Sequence, residues 1–433
     1  FASGTFEAVL NAQKALTCGD ITVTNTYTSL AETNVTPASG GVNAKLTNIG
    51  LNTAVACATT TANTGLSGTG TLNVHGNMAV TAQGTAQANA NIVTPTASVS
   101  GVAVTANVAV AVNNVRQNTF VRDCSLNTVT RDVTLVSNLN SASQMGAQAR
   151  VGASTAESVN VSYANLTANA CVANFNAVHT ALVSGISGTI DGTLSVMANT
   201  ASLADAGVYS GSAVSYYAGT VTVVYAYAGG SSKADLYLEK NKKLRVGKLN
   251  LTNHYQTKAT AESKQSDNGI SVSMAAADLN VAYAEACSVA CAGIEGDGSL
   301  SADADGDSLT ILCQGTAAAD AKILPANVSI AGVILAANNV ISKVTAKHTA
   351  HIGSESTAPD VSSNGNISVL SQFNNNAGDG ATATVGSGNN SSVDVTVVGV
   401  KQSLAQADME AQAKAAIVNG TIRAKGNVDV QML

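Results

Sequence analysis

One short opening recurs along the whole chain, and it constrains the architecture more than any other feature. A Gly or polar residue and a polar or small residue precede an apolar–x–apolar step. The copies are GDITVTN from Gly19, GNMAVTAQ from Gly76, RDVTLVSN from Arg131, GTLSVMAN from Gly192, GKLNLTN from Gly247, DSLTILCQ from Asp307, GNISVLSQ from Gly365 and GNVDVQML from Gly426. Successive starts lie 57, 55, 61, 55, 60, 58 and 61 residues apart. Self-similarity at a fixed period marks a repeat architecture, whose units bury their faces against neighbours rather than alone.

Within a unit the period is two. Val102, Val104, Val108, Val110 and Val112 fall at even spacing, which is the alternation of a strand rather than a helix. Equivalent stretches are SVNVSYANLTANACVANF, GTVTVVYAYAGG, GISVSMAAADLNVAYAEAC and NVSIAGVILAANNV. A shorter third strand is read in NTFVRDCSLNTV and AAIVNGTIRAKG. Pro37, Pro95 and Pro325 lie 18, 19 and 18 residues after their openings. Proline is excluded from sheet interiors, so this phase predicts a turn between the first and second strands. Other units place VGAS, YSGS, SDNG and GSGNNSS there, all turn formers. The stretch 403–418 is rich in helix formers. Yet Ala405, Ala407, Met409, Ala411, Ala413, Ala415 and Ile417 are every second residue, and the prediction is strand.

The fold class is therefore all-β: a β-solenoid of seven repeats of about 58 residues with open ends. Repeats start near 19, 76, 131, 192, 247, 307 and 365 and fill 19–425. Residues 1–18 read as the end of a preceding repeat, and 426–433 as the first strand of a further one. Whether a period makes one wide coil or two smaller ones stays open; the long strands favour one. Composition agrees. There is no Trp, aromatics are 3% and charged residues 11%, so a globular core of large side chains is excluded. Disorder is excluded by 45% hydrophobic residues. A net charge of −6 does not imply nucleic acid, and no apolar run is long enough for a membrane helix. There is no initiator Met, so Phe1 reads as a processed or trimmed end.

Residues 98–138, SVSGVAVTANVAVAVNNVRQNTFVRDCSLNTVTRDVTLVSN, resemble the repeats of giant bacterial filamentous adhesins, the fusobacterial leukotoxin-like β-helical repeat proteins. The other repeats carry the same frame in more diverged form. The resemblance implies an extracellular or cell-surface fibrous β-solenoid, with a host or surface glycan or protein as a receptor. It transfers no catalytic residue, and the chain is expected not to be an enzyme.

The segment AVLNAQKALTCG near the N-terminus corresponds to AAIVNGTIRAKG. Head and tail are thus expected to add up to an eighth repeat. Exposed strand edges template association, and stable solenoids usually cap them. No cap is visible. Two readings follow: a window from a longer array, or subunits joining head to tail into an open filament. In the second, Leu10, Leu16, Ile21 and Val23 would meet Val428, Val430 and Leu433.

Candidate chemistry is sparse. Glu295, Asp297, Asp303, Asp305 and Asp307 crowd one Gly-rich stretch. Clustered carboxylates repel, and calcium would relieve them; a solvated acidic turn is the plainer reading. One repeat earlier stand Lys240, Lys242, Lys243, Arg245 and Lys248, so stacking would set basic and acidic turns on one edge. His348 and His351 are three apart, on opposite faces of a strand. Of seven cysteines, Cys57, Cys171 and Cys287 share a phase, but in alternate repeats and too far apart for disulfides. The triplets at Asn160, Asn165, Asn250, Asn327 and Asn366 read as members of Asn ladders. The functional expectation is a structural subunit or segment of an extracellular fibre. The alternative is a carbohydrate-binding or carbohydrate-cleaving β-helix.

Overall fold

The structure is a computed structural model that describes all residues except 37–42, 95–96, 142, 153–158, 266–269, 326–327, 375–378 and 387–392. Pro37, Pro95, Asn327 and most of the expected turn segments fall outside the described residues. Pro325 is described, and it sits exposed just after the strand Asp307–Leu324. Every regular element among the described residues is a strand, and every pairing is parallel. The fold is a β-helix or solenoid-like stack.

Two sheets face each other. The first has eight strands in chain order: Ala2–Asn11, Asn43–Ser67, Ala97–Arg122, Val159–Ser184, Ser212–Leu238, Ile270–Gly296, Val328–Ile352 and Val393–Ile417. The second is built from strands that are often interrupted, such as Ser125–Val129 followed by Val133–Leu139. Paired residues lie one sequence period apart, as Val102 with Ala164 and Ala164 with Tyr217. One period is therefore one wide coil. The recurrent openings form a single column: Ile21, Met78, Val133, Leu194, Leu249, Leu309, Ile367 and Val428. The stretch 403–418 lies almost wholly in the strand Val393–Ile417, as its two-residue period predicts.

Strand boundaries differ from the sequence reading. The expected second strand and the start of the third are one strand of 25 to 27 residues in every coil described. The break comes later, where a left-handed residue turns the corner. Gly68, Asp123, Gly185, Gly296, Gly353 and Gly420 take positive φ there. The shape changes from coil to coil, but a residue that tolerates positive φ is present each time.

The core has two compartments. At one end Leu, Ile and Val dominate, including Leu66, Leu72, Leu194, Leu251 and Ile311. At the other, Ala predominates, as in Ala86, Ala88, Ala90, Ala226, Ala228, Ala284 and Ala286. Small side chains let the sheets approach closely, which is why this chain has so few aromatics. Between the compartments lies a buried polar layer. The Tyr27 hydroxyl donates to Gln117 Oε1 at 2.6 Å, and Gln117 Nε2 donates to Ser137 Oγ at 2.9 Å. His179 and His348 are fully buried in the same layer. His179 Nδ1 meets the Thr200 and Ser232 hydroxyls, and His348 Nε2 meets Ser288 Oγ at 3.1 Å. Burial lowers the His179 ring to about 3 and the His348 ring to about 4, so both are neutral.

Candidate assembly site

The outermost strands carry the residues expected to join coils end to end. Among the described residues, Ala2–Asn11 pairs only with Asn43–Ser67, and Ile21–Val35 only with Met78–Ile92. At the other end Val393–Ile417, Thr421–Ala424 and Val428–Met432 each pair on one side. Ile21 and Val23 are already buried, and Leu10 and Leu16 pack partly on the large core cluster. Val428, Val430 and Leu433 remain 48%, 41% and 54% exposed, although the first two continue core columns.

The two ends do not add up to an eighth repeat. Ala2 stands opposite Ala58, beyond the middle of its partner strand, and Met432 opposite Ser371. Positions equivalent to the rest of the coil, from Phe373 to Cys57, have no counterpart at either end. The resemblance of the tail to AAIVNGTIRAKG is real, but it places the tail late in the coil: Leu10 shares a column with Leu66, and that column ends at Ile417.

The acidic residues occupy one edge but do not converge. Glu295 Oε1 lies 3.1 Å from His351 Nε2. Asp297 Oδ1 accepts the Ala358 N–H at 2.9 Å. Asp303 accepts from Ser301 Oγ and pairs with Arg245 in the adjacent coil; the Ser301 bond and the guanidinium hold its carboxyl below the usual range. Asp307 Oδ1 accepts from Asn366 Nδ2 at 2.9 Å. Asp305 is exposed on the turn. No group of three or more His, Cys, Asp or Glu suited to a metal occurs among the described residues. The expected apposition of basic and acidic turns does occur: Arg245 meets Asp303, and Lys242 reaches the Gly185 carbonyl at 2.6 Å.

A thiol–imidazole–carboxylate chain was missed from sequence. Cys291 Sγ is 3.6 Å from His351 Nδ1, whose ring reaches Glu295 through Nε2. The ring lies over Gly293, where a Cβ would stand 2.3 Å from it. His348 and His351 do face opposite sides, and the only signal for the contact was a glycine one period before His351. Chemically the chain is quiet. Burial, and then the nearby Asp235 carboxyl, push the Cys291 thiol far up. Asp235 itself is raised to about 7 by burial, with Lys233 opposing and Glu295 adding. A thiol held protonated is a poor nucleophile. Cys291 is accordingly expected to react with a maleimide at pH 7 many-fold more slowly in the native protein than after denaturation; equal rates would contradict this environment.

The other cysteines are also free, but they do not share a column. Cys57 stands opposite Val112, Cys171 opposite Ala109, and Cys287 opposite Gly229. Turn lengths vary by a few residues between coils, which breaks the phase inferred by counting. Asn ladders do form, along Asn52, Asn107 and Asn169 with side-chain bonds of 2.8 Å, and from Asn280 to Asn338. These are not the asparagines of the N-x-S/T triplets.

Two concavities complete the picture. An elongated cavity of about 240 Å³ runs inside the bend of the long strands, lined by Asn107, Asn169, Thr220 and Asp278 among others. A shallow cleft of about 500 Å³ crosses the short strands, with Lys243, Arg245, Asp360 and Arg423 on its walls. No family model, curated protein or solved structure matches the chain.

Proposed function

We propose that this chain is a seven-repeat structural segment of an extracellular bacterial fibre, extended along the solenoid axis by strand stacking. The observation that supports this reading is the all-parallel stack itself, in which each long strand pairs with its equivalents one sequence period away and core columns run along the stack from coil to coil. Backbone groups along the edge of a parallel stack favour a further strand over water, so such a stack extends along its axis.

Negative-stain microscopy and X-ray fibre diffraction of concentrated protein test the reading. Fibres with an axial spacing of roughly 4.8 Å are expected. Single particles at every concentration, together with solvent-fast amide exchange along Val393–Ile417, would sink it. A carbohydrate-binding β-helix is the second reading, and the cleft over Arg245, Asp360 and Arg423 favours it. Retained polysaccharide binding after Arg245→Ala and Arg423→Ala would remove that support.

A further inference from the structure

The outward side of the first sheet is divided. In the second half of its strands, charges are frequent: Arg116, Lys233, Glu285, Lys343, Lys347, Asp408 and Glu410. In the first half, the outward columns contain none. The ladder there skips one residue in every long strand, at Leu46, Gly101, Tyr163, Tyr216, Met274, Gly332 and Val397. This repeated bend forms a ridge, with Tyr163 and Tyr216 stacked at 5.3 Å. Beside it run the columns of Val102, Tyr217 and Val333, of Val104, Leu166 and Leu335, and of Val221 and Leu279.

Among the described residues nothing covers these side chains. Tyr163 is 59% exposed, Leu166 54%, Tyr217 49%, Met274 54%, Val333 50% and Leu335 58%. Seven strands about 4.8 Å apart, over some nine residues of about 3.3 Å, make a face of roughly 900 Å². Soluble monomers rarely expose so large a contiguous apolar patch.

We infer that this face is where a second copy of the chain docks side by side, related by a two-fold axis. The area matches the roughly 800 Å² per partner of a standard stable interface. A face without charge meets itself without like-charge conflict, which an isologous contact requires. Tyrosine anchors with a depleted charge count are the composition of an interface core. Two sheets would pack face to face about 10 Å apart, as in a β-sandwich. This contact is lateral. It is independent of axial stacking, and it sets fibre width rather than length.

Analytical ultracentrifugation of the full chain and of a Leu166→Lys/Val333→Lys variant tests it, with circular dichroism to verify folding. The expected result is an even-numbered mass for the wild type and at least a tenfold weaker self-association for the variant at unchanged melting temperature. If the variant misfolds, Tyr217→Gln/Leu335→Gln keeps strand-compatible side chains and serves the same comparison. A wild type that stays monomeric at about 50 µM (roughly twentyfold below a millimolar Kd) overturns the proposal. So does undiminished association of the folded variant. Binding of wild type, but not variant, to phosphatidylcholine vesicles without self-association would identify a lipid surface instead and equally overturn it.

Discussion

Lowering the pH from 6.5 to 4 is expected to remove about 3 kcal/mol of stability, read as a fall in the guanidinium midpoint. His179 and His348 drive the loss. Their rings are held neutral by burial, at about 3 and about 4, against an ordinary value near 6.5. Below pH 6.5 the unfolded chain takes up protons that the folded chain refuses. The stabilisation from each ring is therefore complete above pH 6.5 and is lost as the pH falls toward the folded value. Asp235 acts in the opposite sense. Its carboxyl, raised to about 7, keeps its proton in the fold while the unfolded chain releases one. Its contribution is present below the usual carboxylate range and is lost as the pH rises through 7. Counted over these three most deeply shifted groups, two protons against one leave a net slope of about 1.4 kcal/mol per pH unit.

Variants separate the groups. Asp235→Asn is expected to double the acid loss, to about 6 kcal/mol over the same interval. His179→Gln/His348→Gln should reverse the sign between pH 6.5 and 4, leaving Asp235 to favour the acid side. An acid loss in that double variant as steep as in the wild type would show that other groups control the response.

Much of this fold was legible because alternation and period are both long-range and redundant. The run from Ala405 to Ile417 could be read as strand against its helix-forming composition, since every second residue is apolar and the phase is shared with six other coils. The column from Ile21 to Val428 follows directly from the recurrent openings. What could not be read depends on differences of a few residues in the turns. Cys57, Cys171 and Cys287 were assigned a common column by counting from the openings, and small changes in turn length moved each to its own. The chain Cys291–His351–Glu295 depends on a missing side chain at Gly293 in the adjacent coil, which no pattern within one repeat reveals. The acidic stretch does not converge on one centre among the described residues: its carboxylates are spread along the corner between strands and meet different partners, Arg245, Asn366 and the Ala358 amide. The charge-free outward face is not legible in the sequence, because apolar residues at alternate strand positions fit either side and only the position of the second sheet decides which side is covered.

The two core compartments are expected to answer substitution in opposite ways. Leu251 is fully buried among Leu, Ile and Val, and Leu251→Ala should cost about 2–5 kcal/mol, because the removed carbons leave a cavity between sheets that cannot close. Ala284 is equally buried, but its column neighbours are Ala226 and Ser342. Removing its methyl leaves little space, whereas Ala284→Leu must push the sheets apart and should cost about 1–3 kcal/mol or more. The complementary change, Leu249→Met in the wide compartment, nearly conserves volume and should cost less than about 1.5 kcal/mol. Each coil touches only its neighbours, so the damage should stay local. Amide exchange is expected to quicken in Ile270–Gly296 and its flanking strands for Ala284→Leu, and to remain slow in Ala97–Arg122. Uniform acceleration along the whole stack would mean that the coils unfold as one cooperative body, and equal tolerance of Leu at position 284 and Ala at position 251 would mean that the narrow compartment is not close-packed.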